Sequence, residues 1–255
     1  MDIDKLKDNW NQLGSKDPLW AILTNPARKD CKWDMDTFFE TGEKWVASYF
    51  DILAERRLAP AHHERALDFG CGAGRLTRAL GNRFDRVDGV DIAETMIGLA
   101  REHNAAYPPL HFHLNEAADL SLFDSDTFDF VLCSVVLQHM NNDLKAGYIR
   151  EFLRVLRSGG LAMFTIPSIP KNTLRGVIRR LPNGVQNLYR RRVYGMDAVM
   201  EFHPFKRAKV ETLLRSTGAE ILAVLPEQTA GPDFRSYLYI VRKPEPGRAG
   251  AELSA

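Results

Sequence analysis

The order of residues predicts an α/β fold: a mostly parallel sheet with helices on both faces, fronted by an N-terminal helical segment. Three observations carry that expectation. Beyond residue 64, short β-branched runs ended by glycine or aspartate alternate with longer stretches of helical period, as repeated βαβ units require. Glycines at alternate positions, Gly70, Gly72 and Gly74, stand between the first of these strands and the first helix. The last two strand-like runs are separated by Gly231-Pro232 and little else, which leaves no room for a helical crossover and predicts an antiparallel hairpin.

Taken in order, residues 1–64 are rich in helix formers and hold every tryptophan, Trp10, Trp20, Trp33 and Trp45, so they are expected to form a helical cap or lid. The main domain is expected over 65–243. Its strands are predicted at Arg65–Phe69, Arg86–Val90, Leu110–Leu114, Phe128–Cys133 and Leu161–Ile166, with helices near Arg75–Arg83, Glu94–Asn104 and Leu144–Leu156. The third helix is expected to stop at Arg157-Ser158-Gly159-Gly160, where glycine allows a left-handed cap. Prolines 167, 170, 182 and 204 and a cluster of arginines mark 167–205 as an insertion. A helix near Lys206–Thr217, closed by Gly218, then leads to strands at Glu220–Leu225 and Ser236–Arg242, and 244–255 reads as a flexible tail.

Composition narrows the function classes. A formal net charge of +1 provides no global basic field, so no nucleic-acid partner is expected. Three widely spaced cysteines without a CxxC pair argue against a disulfide framework or a structural zinc, and favour a reducing, cytoplasmic setting. The start of the chain lacks a basic stretch followed by an apolar one, and no run approaches the length of a membrane span.

The chemistry is concentrated in Asp68-Phe69-Gly70-Cys71-Gly72-Ala73-Gly74. Alternating glycines remove side chains where the backbone turns sharply and where a ligand approaches main-chain N–H groups. Asp91 ends the second strand, where an acid accepts hydrogen bonds from ribose hydroxyls. The spacing is GxGxG, not the GxGxxG of dinucleotide folds, and the carboxylate of Asp68 just before it would repel a pyrophosphate but suits an amino group.

With these residues in view, the sequence resembles the class I S-adenosylmethionine-dependent methyltransferases over about 64–166 and again over 206–242. The resemblance implies a Rossmann-like sheet of seven strands with the last antiparallel, and S-adenosylmethionine as cofactor. It implies that Gly70, Cys71, Gly72 and Gly74 underlie the cofactor, that Asp68 is the acid before the loop, and that Asp91, followed by Ile92, is the ribose ligand. Asn115 to Leu120 resembles the segment in which an acid meets the adenine amino group and the next residue offers a backbone N–H; Glu116 with Ala117 fits this role, and Asp119 is the alternative. The run from Phe128 to Met140 resembles the fourth-strand motif, which places Ser134 and His139 near the methyl group. Phe39, Thr41 and Gly42 resemble the part of the cap nearest the cofactor.

Each assignment has a plainer reading. Asp91 also suits an N-cap for the helix that begins near Ala93. His139 is the candidate catalytic base, because imidazole titrates near neutrality, or else a histidine packed at a strand end. Asp143 and His139 alone do not define a metal site, and none is expected. Trp33, Phe38, Phe39, Trp45 and Tyr49 form either a lid or the buried face of an amphipathic helix. Arg175, Arg179, Arg180, Arg190, Arg191 and Arg192 form either a solvated face or contacts to an anionic acceptor. No Asn-Pro-Pro-Tyr-like tetrad follows the fourth strand, where Ser134-Val135-Val136-Leu137 stands. By resemblance the expected activity is O-methylation of a small molecule such as a sugar, lipid or secondary metabolite. The rivals are N-methylation of a small amine, a nicotinamide-dependent oxidoreductase, and a non-catalytic cofactor-binding module.

Overall fold

The computed structural model describes residues 3–170, 181, 184–185, 192, 201–231 and 233–245. Among them are helices α1 (Ile3–Lys16), α2 (Pro18–Ile22), α3 (Met35–Glu55), α4 (Arg75–Leu80), α5 (Glu94–His103), α6 (Asn142–Val155) and α7 (Arg207–Ser216). The strands are β1 (Arg65–Phe69), β2 (Arg86–Asp91), β3 (Leu110–Leu114), β4 (Phe128–Cys133), β5 (Leu156–Pro170), β6 (Glu220–Glu227) and β7 (Phe234–Arg242). They form one seven-stranded sheet in the order β3-β2-β1-β4-β5-β7-β6. β1 pairs in parallel with both β2 and β4, and β2 with β3, whereas β7 runs antiparallel to both of its neighbours. The expected terminal hairpin is therefore present.

The chain divides into two compact units. One holds the described residues up to 117 together with 127–132. Its core explains the strand assignments, since β4 is buried along its whole length and β1 at four of five positions, so both read as mostly apolar runs, interrupted by the buried acids Asp129 and Asp68. The side chain of Asp34 caps α3 by accepting the Thr37 N–H at 2.9 Å. That helix buries Phe38, Gly42, Val46, Tyr49 and Leu53 along one stripe, and Trp45 lies beside the stripe, half-buried.

A buried ionic knot fastens the middle of β2. The fully buried carboxylate of Asp88 accepts from Arg65 Nε at 2.7 Å, from Arg86 at 3.0 Å and from His113 Nε2 at 2.7 Å. Burial alone would raise the pKa of this acid, but hydrogen bonds from His113, Arg86 and Arg65 outweigh it and hold the group well below the usual carboxylate range. Because the folded-state pKa is depressed, the stabilisation is fully present above the ordinary carboxylate value and is lost as pH falls through and below it. Asp88→Asn should cost about 3 kcal/mol, the low end for a broken buried pair because Arg86 reaches solvent. Urea unfolding at pH 7 and at pH 3 checks this: the deficit should be large at pH 7 and shrink in acid.

The other unit holds residues 118–126 and the described residues from 133 onward. Strands β6 and β7 each extend two residues further toward their shared turn than the sequence expectation, and β5 is longer at both ends. Helix α6 ends at Val155 and passes straight into β5, with no glycine turn between them. Gly159 does have a positive φ of 78°, but its N–H donates to Lys243 O at 2.8 Å and the strand continues through it. At its far end β5 runs four residues past Ile166, pairing with β7 as far as Pro170↔Phe234. The missing proline N–H groups are accommodated at a register shift between Pro167 and Ile169.

Candidate active site

In the first unit, β1 feeds a bend in which Gly70, Gly72 and Gly74 have φ of 76°, 53° and 83°. L-residues rarely adopt such angles, which is why this segment needs three glycines. The bend is anchored from beneath, since Gly70 N and Cys71 N both donate to Val90 O at 2.8 and 2.9 Å. At Gly74 a Cβ would also lie 2.6 Å from Asn104 Nδ2 and 2.9 Å from the Phe112 ring. Asn104 ties the loop to α5 by donating to Ala73 O at 3.2 Å.

Asp91 is not the N-cap residue of α5, a position held by Ala93, but its carboxylate ties the loop to the start of that helix. One carboxylate oxygen accepts the Gly72 N–H at 2.9 Å and the other accepts the Ala93 N–H at 2.9 Å, so it locks the glycine loop and the entry to α5 together. Burial raises its pKa, and the N–H bonds from Ala93, Gly72 and Ile92 work against that rise. Beyond these N–H bonds the carboxylate has lone-pair capacity left with which to accept from a ribose hydroxyl. Ile92 is half-buried beside it.

Asp68 is 1% exposed and accepts the Thr77 Oγ1–H at 2.6 Å. Burial, together with the charge of Asp91, pushes its pKa up to about 6, against the hydrogen bond from Thr77 and the positive charge of Arg75. Two acids therefore flank the side-chain-free bend, and a cationic ligand group relieves their mutual repulsion while a pyrophosphate would worsen it. These residues fit an adenosyl group that carries an ammonium and a sulfonium.

The front segment lies against this loop. Ala73 sits in one apolar cluster with Phe38 and Phe39, with Leu19, Ile22 and Trp33 packed around them. A Cβ on Gly72 would come within 2.7 Å of the Ile22 side chain. Phe39 meets Phe38 edge-on and carries the Arg78 guanidinium 3.2 Å from its ring centroid. Gly42 is the point of closest approach between α3 and α4, where a Cβ would lie 2.4 Å from the carbonyl oxygen of Arg75. Thr41 accepts from Arg75 at 3.3 Å. Glu116 is exposed and pairs with Lys7 of α1 at 3.3 Å, and the Ala117 N–H reaches Asn115 Oδ1 at 3.4 Å.

The remaining predicted residues lie in the second unit. Asp119 is exposed there and accepts the Ser121 N–H at 3.0 Å, forming a turn. Ser134 is buried, and Val135 after it has a φ of 65°, a strained value for a β-branched residue, held by its N–H to Thr165 Oγ1 at 2.8 Å. His139 ends a short 3-10 helix (Leu137–His139) and is 5% exposed. Its Nδ1 lies 2.9 Å from Glu201 O, an atom that can only accept, so Nδ1 is the donor. The Gln138 side-chain amide lies 3.2 Å from Nε2.

Sequence reading missed the partners that complete this cluster. Glu201 accepts from His203 Nε2 at 2.9 Å, and the fully buried Lys145 donates to His203 O and to Asn142 Oδ1. Burial lowers the Lys145 pKa to about 7. The available signal was a lysine on the apolar face of α6. Thr77 and Arg75, which tune Asp68, were likewise missed; both stand within three residues of Gly74 on a helix too short to show a period. Among the described residues no group of three or more His, Cys, Asp or Glu is placed to hold a metal, and no helix is long and apolar enough to cross a membrane. Arg175, Arg179, Arg180, Arg190 and Arg191 lie outside the described residues, and Arg192 is exposed.

Comparison with known proteins points the same way. Residues 66–160 match the family model described as a methyltransferase domain. The ubiquinone biosynthesis O-methyltransferase of Hahella chejuensis is 28% identical over 160 residues, covering 60% of this chain and 66% of that protein. Its counterpart from Xanthomonas oryzae is 25% identical over 186 residues, covering 70% of this chain and 66% of that protein. The chain thus spans just under two thirds of the length of these curated relatives. Among solved structures, the magnesium protoporphyrin IX methyltransferase of Synechocystis with bound S-adenosylhomocysteine superposes with a TM-score of 0.62 at 20% identity, covering 95% of this chain and 100% of that one. A methyltransferase from Leishmania major gives a TM-score of 0.63 at 14% identity, covering 94% of this chain and 82% of that one. With the glycine bend, its flanking acids and the seven-stranded order all in place, residues 66–160 are similar to a methyltransferase domain and the chain has the fold of the S-adenosylmethionine-dependent methyltransferases.

Proposed function

We propose that this protein transfers a methyl group to a hydroxyl of a small-molecule acceptor, with His139 as the base. The observation that carries the reading is the contact of His139 Nδ1 with the Glu201 carbonyl: it holds a proton on Nδ1, so the neutral form of this buried ring offers its lone pair at Nε2. A hydroxyl must lose its proton as the methyl arrives, and an imidazole in this state can take it. Gln138 holds Nε2 in the resting protein, and the acceptor hydroxyl replaces that amide. The bound cofactor supplies an activated methyl group together with its own leaving group. Gly70, Cys71, Gly72 and Gly74 would underlie it, Asp68 and Asp91 would hold its ammonium and ribose, and Glu116 with Ala117 would meet its adenine. Holding acceptor and methyl donor in line supplies up to about 7–11 kcal/mol of the barrier reduction. The curated relatives bear the name O-methyltransferase, which supports oxygen as the target. The three free thiols suit a cytoplasmic setting.

Incubation with labelled S-adenosylmethionine and parallel panels of hydroxyl and amine compounds tests this. Label should appear on oxygen; transfer to nitrogen alone would refute the assignment.

Asp68 gives the cofactor site a pH signature. Its pKa of about 6 in the folded protein lies above the ordinary carboxylate value, so protonation stabilises the free protein and that stabilisation is lost as pH rises through about 6. A cationic ligand group selects the ionised form. Affinity for S-adenosylhomocysteine should therefore fall about tenfold per pH unit below pH 6 and level off above it. Calorimetric titrations from pH 5 to 8 on the wild type and Asp68→Asn check this, and the variant should bind weakly with little pH dependence.

A further inference from the structure

The hairpin of β6 and β7 contains four buried, unpartnered oxygen atoms that the methyl-transfer chemistry does not use, on Tyr239 midway along β7 and on Glu227, Thr229 and Ser236 at the end where the strands are joined. Glu227 lies directly opposite Ser236 in the antiparallel register, so the two side chains share one face of the sheet. Thr229 folds back over Glu227 and donates its N–H to Oε2 of that carboxylate. Glu227 Oε1, Thr229 Oγ1 and Ser236 Oγ are all shielded from solvent, and none has a hydrogen-bond partner. Ser236 is 2% exposed. An unmet buried polar atom is destabilising, so this group at one end of the hairpin is a costly arrangement unless something fills it.

The position of the nook suggests what fills it. Ser236 pairs with Pro167, near the carboxyl end of β5, and ligands of open α/β sheets bind at the carboxyl ends of strands. Phe234 shares the face of Ser236, its ring stacks on Phe202 at 5.4 Å, and His139 meets Phe202 edge-on at 5.1 Å. A line of ring contacts therefore joins the proposed base to the strand that carries the nook. The atoms present define the complement. The carboxylate oxygen only accepts, whereas the two hydroxyls each donate and accept. An ammonium would leave the protein hydroxyl protons without acceptors. Neighbouring hydroxyls satisfy all three atoms, because each donates one proton and accepts another.

We infer that Glu227, Thr229 and Ser236 form an acceptor subsite that takes a pair of neighbouring hydroxyls on the part of the acceptor away from the methylated oxygen. The word acceptor rests on the methyl-transfer reading, but the subsite itself can be tested without turnover.

The probes are cis vicinal cyclohexanediol, cyclohexanol and cyclohexylamine, titrated at millimolar concentration into the full-length protein and followed by ligand-detected NMR. The diol should bind the wild type and lose about tenfold in affinity in Ser236→Ala and in Glu227→Gln, with a smaller loss for cyclohexanol. Both variants should bind S-adenosylhomocysteine as the wild type does, which also shows that they are folded. Ligand-free Ser236→Ala should melt no lower than the wild type, because it removes an unmet hydroxyl and not a structural bond. Equal diol binding by the wild type and both variants, or selection of cyclohexylamine over the diol, would overturn the inference. Failure of the wild type to bind S-adenosylhomocysteine would instead strike the methyltransferase reading and leave the diol result to stand alone.

Discussion

Asp91→Ala should lower affinity for S-adenosylhomocysteine at least a hundredfold. Two effects add. The substitution removes a charged acceptor, and hydrogen bonds from ligand hydroxyls to such a group are worth about 1.5–3 kcal/mol each. It also leaves Gly72 N and Ala93 N without the acceptor that holds them at 2.9 Å, so the glycine bend loses its tie to the entry of α5. Asp91→Asn separates the two contributions: one amide oxygen still accepts from one of the N–H groups, so this variant should lose less. Isothermal titration of both variants with S-adenosylhomocysteine measures the difference, and thermal unfolding shows how much of it is lost loop structure.

His139→Ala should lower kcat about 100- to 10,000-fold on a hydroxyl acceptor and leave cofactor affinity within about twofold. The ring is held by a contact from each side: the Glu201 carbonyl at Nδ1, the Gln138 amide at Nε2, and Phe202 edge-on. Removing it takes away a base and also a packed side chain, so His139→Gln is the better comparison for rate. Glutamine preserves bulk and hydrogen bonding but cannot accept the acceptor proton at neutral pH. A rate loss shared by both variants, with a normal melting temperature in the second, assigns the effect to proton transfer. An amine acceptor that arrives already deprotonated should be far less sensitive.

The sheet was legible wherever one physical signal dominated. β1, β3 and β4 fall at the residues predicted for them: β1 and β4 are buried strands that read as short, mostly apolar runs, and β3 is an edge strand that reads as an alternation of apolar residues with histidine. The hairpin was legible from chain length alone, since two strands joined by a few residues cannot be parallel. β5 was read too short at both ends because glycine and proline were taken as stops. In the structure Gly159 stays in register through its bond to Lys243, and Pro167 is absorbed by a bulge, neither of which a local pattern shows. The glycines of the loop were legible because the backbone angles at that bend suit no other residue type, and the two acids because they stand at the ends of the first two strands beside it. The groups that tune them were not. Thr77 and Arg75 act on Asp68 across a helix of one and a half turns, and Glu201 reaches His139 from 62 residues away. Such pairings belong to the tertiary fold and leave no period in the chain. The cap was legible as helix, but its contact with Ala73 depends on how α2 and α3 turn, which composition does not encode.

Every functional statement depends on the bend between Asp68 and Asp91 accepting a positively charged adenosyl ligand. Calorimetry of the purified protein with S-adenosylmethionine, S-adenosylhomocysteine and NAD at pH 7.5 tests that directly. The first two should bind with one site per chain, and NAD should give no heat of binding. Absence of heat with both adenosyl ligands at millimolar concentration, or saturable binding of NAD in their place, would contradict it.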